Sequence, residues 1–187
     1  MAAIGNGWMG ASNISGFLNI DDVQMVALCD VYQPHLDDGL KKINQRYGNS
    51  DCAGYKDFRE LFQRDDLDAV MTALPDFSHS IPAIMAAQRG LDVYGEKPFS
   101  LTVGEGRAMV NAMKRYGRIW QTGSWQRSRD NFRQGVELVR NGRIGKVKHV
   151  DVGYGGGIMD FAKTADQWKP VDPPADLDYD LWLGSAP

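Results

Sequence analysis

Cysteine is nearly absent. The 187 residues hold two, Cys29 and Cys52, and neither lies in a CxxC pair or a metal-spaced cluster. Both read as buried thiols in a reducing compartment, the cytoplasm, with no metal site expected. Long apolar runs are missing too: nothing approaches the roughly 20 residues of a spanning helix, and residues 1–10 carry no basic segment followed by an apolar stretch. No membrane partner and no secretion are expected. Excess charge is small, −3 overall, so there is no global pull toward nucleic acid. Locally, Arg107 to Lys148 holds eleven Lys or Arg against Asp130 and Glu137. That stretch reads as solvated helix faces biased toward a phosphate-bearing small molecule, with no nucleic-acid partner expected. What remains is ordinary soluble globular composition, 43% hydrophobic and 24% charged. The length suits one well-buried domain plus an appendage.

Repeats are also lacking, and the useful signal is an alternation of short apolar runs with helical periodicity. Strands are expected at residues 2–4, 23–30, 69–74, 91–94 and 119–121, with a weaker one at 52–55. Short and apolar on both faces, they suit a sandwiched parallel sheet. Asp57 with Glu60, and Thr102 with Glu105, have the spacing of capping boxes. Gly48, Gly90 and Gly117 sit where helices would stop. In the helix expected at 80–89, Ile81, Ile84, Met85 and Gln88 share one face, and Pro82 suits the first turn. The fold expected is α/β, a Rossmann-type doubly wound parallel sheet over residues 1–122. Residues 123–187 read as the start of a second domain: 146–154 alternates like one strand of a different sheet, then runs into Gly155–Gly157 and a proline-rich excursion at 169–175. One strand cannot be a domain, so the chain is expected to be shortened there, and also at its start, where only Met1 to Ile4 precede the first glycine.

The chemistry-bearing pattern is Gly5-Asn6-Gly7-Trp8-Met9-Gly10, a GxGxxG. It follows an apolar strand, opens a helix, and is followed twenty residues after Gly10 by Asp30 at the end of a second strand. Gly5 permits a tight turn, Gly7 the approach of backbone to a pyrophosphate, and Gly10 the packing of helix on sheet. Helix N-terminal N–H groups meet the pyrophosphate charge. Asp30 is placed to accept from the adenosine ribose hydroxyls, and its carboxylate repels the extra phosphate of NADP. NAD is the expected cofactor. Glu96-Lys97-Pro98 follows a strand at the sheet's carboxyl edge, where a lysine close to a cationic nicotinamide and partly desolvated is suited to proton transfer. Leu74, Pro75 and Asp76 end the preceding strand and are placed to wall the nicotinamide side. His79, by itself, reads as a helix-start histidine.

These motifs, GNGWMG with Asp30, LPDFSH at 74–79, YGEKP at 94–98, QTGSWQRS at 121–128, LVRNGRIGKV at 138–147 and the closing LDYDLWLGSAP, occur in an order that resembles the Gfo/Idh/MocA family. The resemblance implies that Lys97 is the active-site lysine, contacting substrate and nicotinamide ribose, and it admits a cis Lys97–Pro98 bond. It implies that Glu96, Pro98 and the loop 74–76 line the cofactor cleft, with His79 beside it, and that Gln126 and Arg127 approach nicotinamide or substrate. Phe77 stands where the family's paired motif has its first histidine, which sets any paired role of His79 in doubt. The implied activity is NAD-dependent oxidation of a hydroxyl on a sugar, cyclitol or related polyol, with homo-oligomers expected of full-length members. Two other classes stay open: an NAD-binding module without turnover, and a glycosidase or lyase that oxidises and re-reduces its sugar within one cycle.

Overall fold

The structure is a computed structural model and describes residues 1–153 and 170–186. Six short strands, β1 (Ala2–Ile4), β2 (Ala27–Cys29), β3 (Ala53–Tyr55), β4 (Ala69–Thr72), β5 (Asp92–Glu96) and β6 (Trp120–Gly123), form one sheet in the order β3-β2-β1-β4-β5-β6. Every neighbouring pair is parallel, with Ile4 opposite both Cys29 and Thr72, and Thr72 opposite Gly95. This is the doubly wound order, whose direction reverses between β1 and β4.

Strand periodicity divides the core. Ala2, Ile4, Ala27, Cys29, Val70 and Val93 point to one face, while Ala3, Leu28 and Met71 point to the other. The first face is covered by α3 (Phe58–Leu61), α4 (Ser80–Gln88) and α5 (Val103–Tyr116), the second by α1 (Trp8–Phe17) and α2 (Gln33–Tyr47). Both faces of β1, β2 and β4 are therefore buried, which is why these strands read as unbroken apolar runs rather than alternating ones. Gly48 and Gly117 close α2 and α5 in the left-handed conformation, and Gly90 follows α4 with φ +78°.

Several local expectations are corrected. The reciprocal box at Thr102 and Glu105 is present, but Asp57 accepts from the N–H of Arg59 instead, and the Arg59 guanidinium grips the same carboxylate. α4 buries Pro82, Ala83, Ala86 and Ala87, leaving Ile81 exposed and Ile84 and Met85 half-buried. Small side chains bring that helix close to the sheet, and this close packing outweighs the larger apolar residues in choosing the face. Residues 146–153 form no strand and are exposed. A strand needs a hydrogen-bonding neighbour, and none is present there among the described residues. Gly155–Gly157 and the start of the proline-rich stretch lie outside the described residues.

The chain groups into two compact units, Met1–Gly123 with Pro174–Pro187, and Ser124–Pro173. The closing segment thus packs with the sheet rather than with the residues that precede it. Within that first unit α7 (Tyr179–Leu183) is capped by Asp178, which accepts from the Leu181 N–H at 3.0 Å. The second unit holds α6 (Asp130–Arg140), with Arg133 paired to Glu137 and Asp130. No helix among the described residues is long and apolar enough to cross a membrane.

Candidate functional site

All the strands run the same way, so the loops after β1, β2, β4 and β5 meet at one edge of the sheet. The turn after β1 is held by Gly5, at φ +91°, whose N–H donates to the Cys29 carbonyl at 2.8 Å. A Cβ on Gly5 would fall against the Ala73 carbonyl oxygen, and one on Gly10 against the carbonyl of Gly5, with the carbonyl carbon at 2.8 Å. Both clashes are with backbone, so only glycine lets α1 begin this close to the turn. Gly7 differs: the nearest atom to a Cβ there is on the His35 ring at 4.0 Å. Nothing among the described residues demands glycine at position 7, and the room beside it is what a pyrophosphate would fill. Gly7 is also the N-cap of α1, with no side chain bonded to the helix start and no acidic residue in its first turn. The first N–H groups of α1 are left for an anion. Trp8 projects outward at 86% exposure and Met9 is half-buried.

Asp30 is 8% exposed and organises the next loop. Its Oδ2 accepts from the Asn6 N–H at 2.7 Å and its Oδ1 from the Tyr32 N–H at 2.9 Å. His35 Nδ1 stands 3.7 Å from Oδ2. The carboxylate therefore fixes the glycine turn and keeps lone pairs for two further donors, such as vicinal ribose hydroxyls. Asn6 supports the arrangement by donating to the His35 carbonyl at 2.6 Å, and its buried Oδ1 has no partner among the described residues. A cavity of about 590 Å³ opens here, within the roughly 300–1,000 Å³ of small-molecule sites. Gly5, Gly7, Asp30, Leu74 and Pro75 line it, together with Val31, Tyr32, His35, Lys56 and Phe58.

Asp76, His79, Glu96, Lys97 and Pro98 sit at the ends of β4 and β5, outside the cavity lining. Asp76 is exposed on a short 3-10 turn (Asp76–Ser78). His79 is fully buried; its Nε2–H donates to the Leu74 carbonyl at 2.9 Å, and Nδ1 has no partner among the described residues. Burial holds its pKa below the usual histidine range, with the Leu74 contact and the Asp76 and Glu96 charges opposing more weakly. Buried and neutral, His79 pins the loop that carries Leu74 and Pro75. Glu96 is buried, and its Oε1 accepts from Asn13 of α1 at 2.9 Å, which ties β5 to the helix of the glycine turn. The Lys97–Pro98 peptide is cis. Lys97, the next residue after the buried Glu96, is exposed. Arg127 and Gln126 belong to the second compact unit, exposed on a 3-10 turn (Trp125–Ser128).

Sequence reasoning did not assign several residues. Tyr32, His35, Lys56 and Phe58 carry no motif of their own and reach the cavity only through the topology. Leu177, Leu181 and Trp182 line it as well. Their signal was available in the closing LDYDLWLGSAP, whose Asp178 lies three residues before Leu181 as a helix cap does.

The donor set and space suit a dinucleotide, and comparison with known proteins agrees. Residues 1–124 match the family profile GFO_IDH_MocA, described as an oxidoreductase family with an NAD-binding Rossmann fold. The chain is 34% identical over 121 residues to 2,7-anhydro-N-acetylneuraminate hydratase of Mediterraneibacter gnavus, covering 65% of this chain and 32% of that protein. It is 32% identical over 146 residues to myo-inositol 2-dehydrogenase of Thermotoga maritima, covering 78% and 42%. Among solved structures, myo-inositol 2-dehydrogenase from Lactobacillus plantarum superposes with a TM-score of 0.70 at 28% identity, covering 78% of this chain and 42% of that one. The chain spans less than half the length of each.

Proposed function

The chain belongs to the Gfo/Idh/MocA oxidoreductase family, whose Rossmann fold binds NAD, and from that premise we propose that it acts as an NAD-dependent oxidoreductase on a hydroxyl of a sugar, cyclitol or related polyol. The observation that carries the reading is the convergence, at the β1–β4 switch point, of an open Gly7, a helix start without an acidic neighbour, and an Asp30 carboxylate already oriented by two N–H groups. Gly5 and Gly10 shape the turn, the α1 amides hold the pyrophosphate, Asp30 accepts from the ribose, and Leu74 and Pro75 wall the cleft. Bound NAD supplies the carbon that accepts hydride. Lys97, at the carboxyl end of β5, takes the proton of the substrate hydroxyl, and Glu96 with Asn13 fixes the strand end from which Lys97 projects. The residues after 122, up to 173, are read as the beginning of a substrate and dimerisation domain, and the closing segment belongs with the NAD-binding unit. Arg127 is assigned to the cofactor by resemblance, and weaker NAD binding in Arg127→Ala would support that.

The test is NADH formation by the purified chain with myo-inositol, scyllo-inositol and simple sugars, compared with Lys97→Met. Turnover in the native chain and none in the variant, with NAD affinity kept in both, supports the proposal. NAD binding without turnover on any substrate supports a binding module instead. A second reading is favoured by the relative named a hydratase, a reaction class with no net redox change: tightly kept NAD and substrate breakdown without NADH would identify a redox-cycling lyase or glycosidase.

A further inference from the structure

The segment 174–186 crosses the switch point of the sheet. At one end it is bonded to the loop after Asp30: the Gln33 N–H donates to the Asp176 carbonyl at 3.0 Å, the Asp178 N–H to the Val31 carbonyl at 2.9 Å, and Tyr32 and Leu177 form an antiparallel bridge. At the other end it is seated on the loop after β4. Trp182 meets Phe77 edge-on, with ring centroids 5.7 Å apart, and Ser185 Oγ donates to the Phe77 carbonyl at 3.3 Å. Tyr179 stacks on Trp182 and holds the indole in place. The strap thus joins the end of β2 to the end of β4, passing over the turn that follows β1. Below it lies the cavity that Asp30 borders, and Pro174, Leu177, Leu181 and Trp182 face into that cavity opposite Val31 and Leu74.

We infer that this strap is the second wall of the adenosine subsite, with Leu177 and Trp182 in contact with the base. The inference rests on the reading of the cleft as an NAD site. The chemistry fits a flat, weakly polar ring: the β2 and β4 loops supply one apolar side, the strap supplies the other, and Asp30 stands at the border where a ribose attached to that ring would lie. A one-sided cleft leaves the base exposed to water, whereas the strap closes it with uncharged side chains, those of Pro174, Leu177, Leu181 and Trp182. The strap also fixes the loop next to Asp30 through two backbone hydrogen bonds, so base contact and ribose contact are built on one piece of backbone.

The experiment uses the full chain with AMP and NAD as probes. Leu177→Ala and Trp182→Ala are each expected to weaken AMP and NAD about tenfold or more, the loss that follows removal of one good contact with a base. Photolysis of bound 2-azidoadenosine monophosphate reports contact directly in the unmutated chain and is expected to label a peptide containing residues 177–182. Amide exchange at Asp178 and Leu181 is expected to slow when AMP is added. Unchanged affinities in both variants, or label absent from the strap peptide while AMP binds, overturns the inference and leaves the NAD site standing. Failure of the unmutated chain to bind either AMP or NAD overturns the NAD reading itself, and the strap assignment with it.

Discussion

Two glycines of one turn are expected to fail in opposite ways when each becomes alanine. At Gly10 helix propensity alone makes alanine better by about 1 kcal/mol. The added Cβ, however, falls against the Gly5 carbonyl, whose carbon would be 2.8 Å away, and backbone cannot swing aside as a flexible side chain can. Overpacking of this kind costs about 3 kcal/mol, the upper end of the usual range. The net is about 2 kcal/mol of lost stability, or roughly 8 °C in Tm for a unit of this size. At Gly7 the nearest atom is 4.0 Å away, so folding suffers only the exchange of one N-cap residue for a poorer one, up to about 1 kcal/mol. Binding suffers instead. A methyl group in the anion's place removes two charge-assisted N–H contacts, about 3–6 kcal/mol together, and weakens NAD by about 10²–10⁴-fold. Scanning calorimetry without ligand and titration with NAD separate the two effects. A Gly10→Ala variant as stable as the parent refutes the close-packing argument; a Gly7→Ala variant that binds NAD normally refutes the pyrophosphate cradle.

Asp30→Ala is expected to lose about 1–3 kcal/mol, because the Asn6 and Tyr32 N–H groups lose their acceptor, and to narrow the preference for NAD over NADP; paired titrations with the two cofactors check this. His79 has its folded pKa lowered by burial, so the unfolded chain binds the proton more readily: its contribution is whole above about pH 6.5 and lost as pH falls. Urea midpoints at pH 7 and pH 5 should therefore diverge, and diverge less in His79→Gln. Burial pushes Cys29 up to about 12 and Cys52 to about 11, from an ordinary value of 9.0. Both thiols should resist iodoacetamide at about pH 8 while the native fold lasts and react once it is unfolded, and the stability that they contribute should fade above about pH 9. Thr102→Ala breaks a reciprocal cap and is expected to cost about 0.5–2 kcal/mol, read from a denaturant titration.

The parts of the fold that could be read in advance are those set by local chemistry. The glycine turn, the Thr102 cap and the left-handed stops at Gly48 and Gly117 carry the signal in their own few residues, and β1, β2 and β4 are apolar because both of their faces are covered. Features that depend on distant partners were not legible. The face of α4 is chosen by how closely alanines can approach the sheet, and periodicity ranks Ile81 above Ala83 for the opposite reason. Residues 146–153 alternate as a strand would, yet alternation reports only which side chains are apolar, not whether another strand is available to pair. In the site, Gly5, Gly7, Asp30, Leu74 and Pro75 line the cavity, while His79 is buried outside its lining and Lys97 stands exposed at the end of β5. The strap is a plain string of residues in the sequence; its position over the cleft follows from distant pairings, Tyr32 with Leu177 and Phe77 with Trp182.

This unit is expected to hold NAD and, through Asp30, to reject the additional phosphate of NADP. Calorimetric titration of the purified chain with each cofactor tests it most directly. Saturable binding of one NAD per chain, with NADP much weaker, is the predicted result. No heat and no saturation with NAD, or equal affinity for the two cofactors, contradicts it.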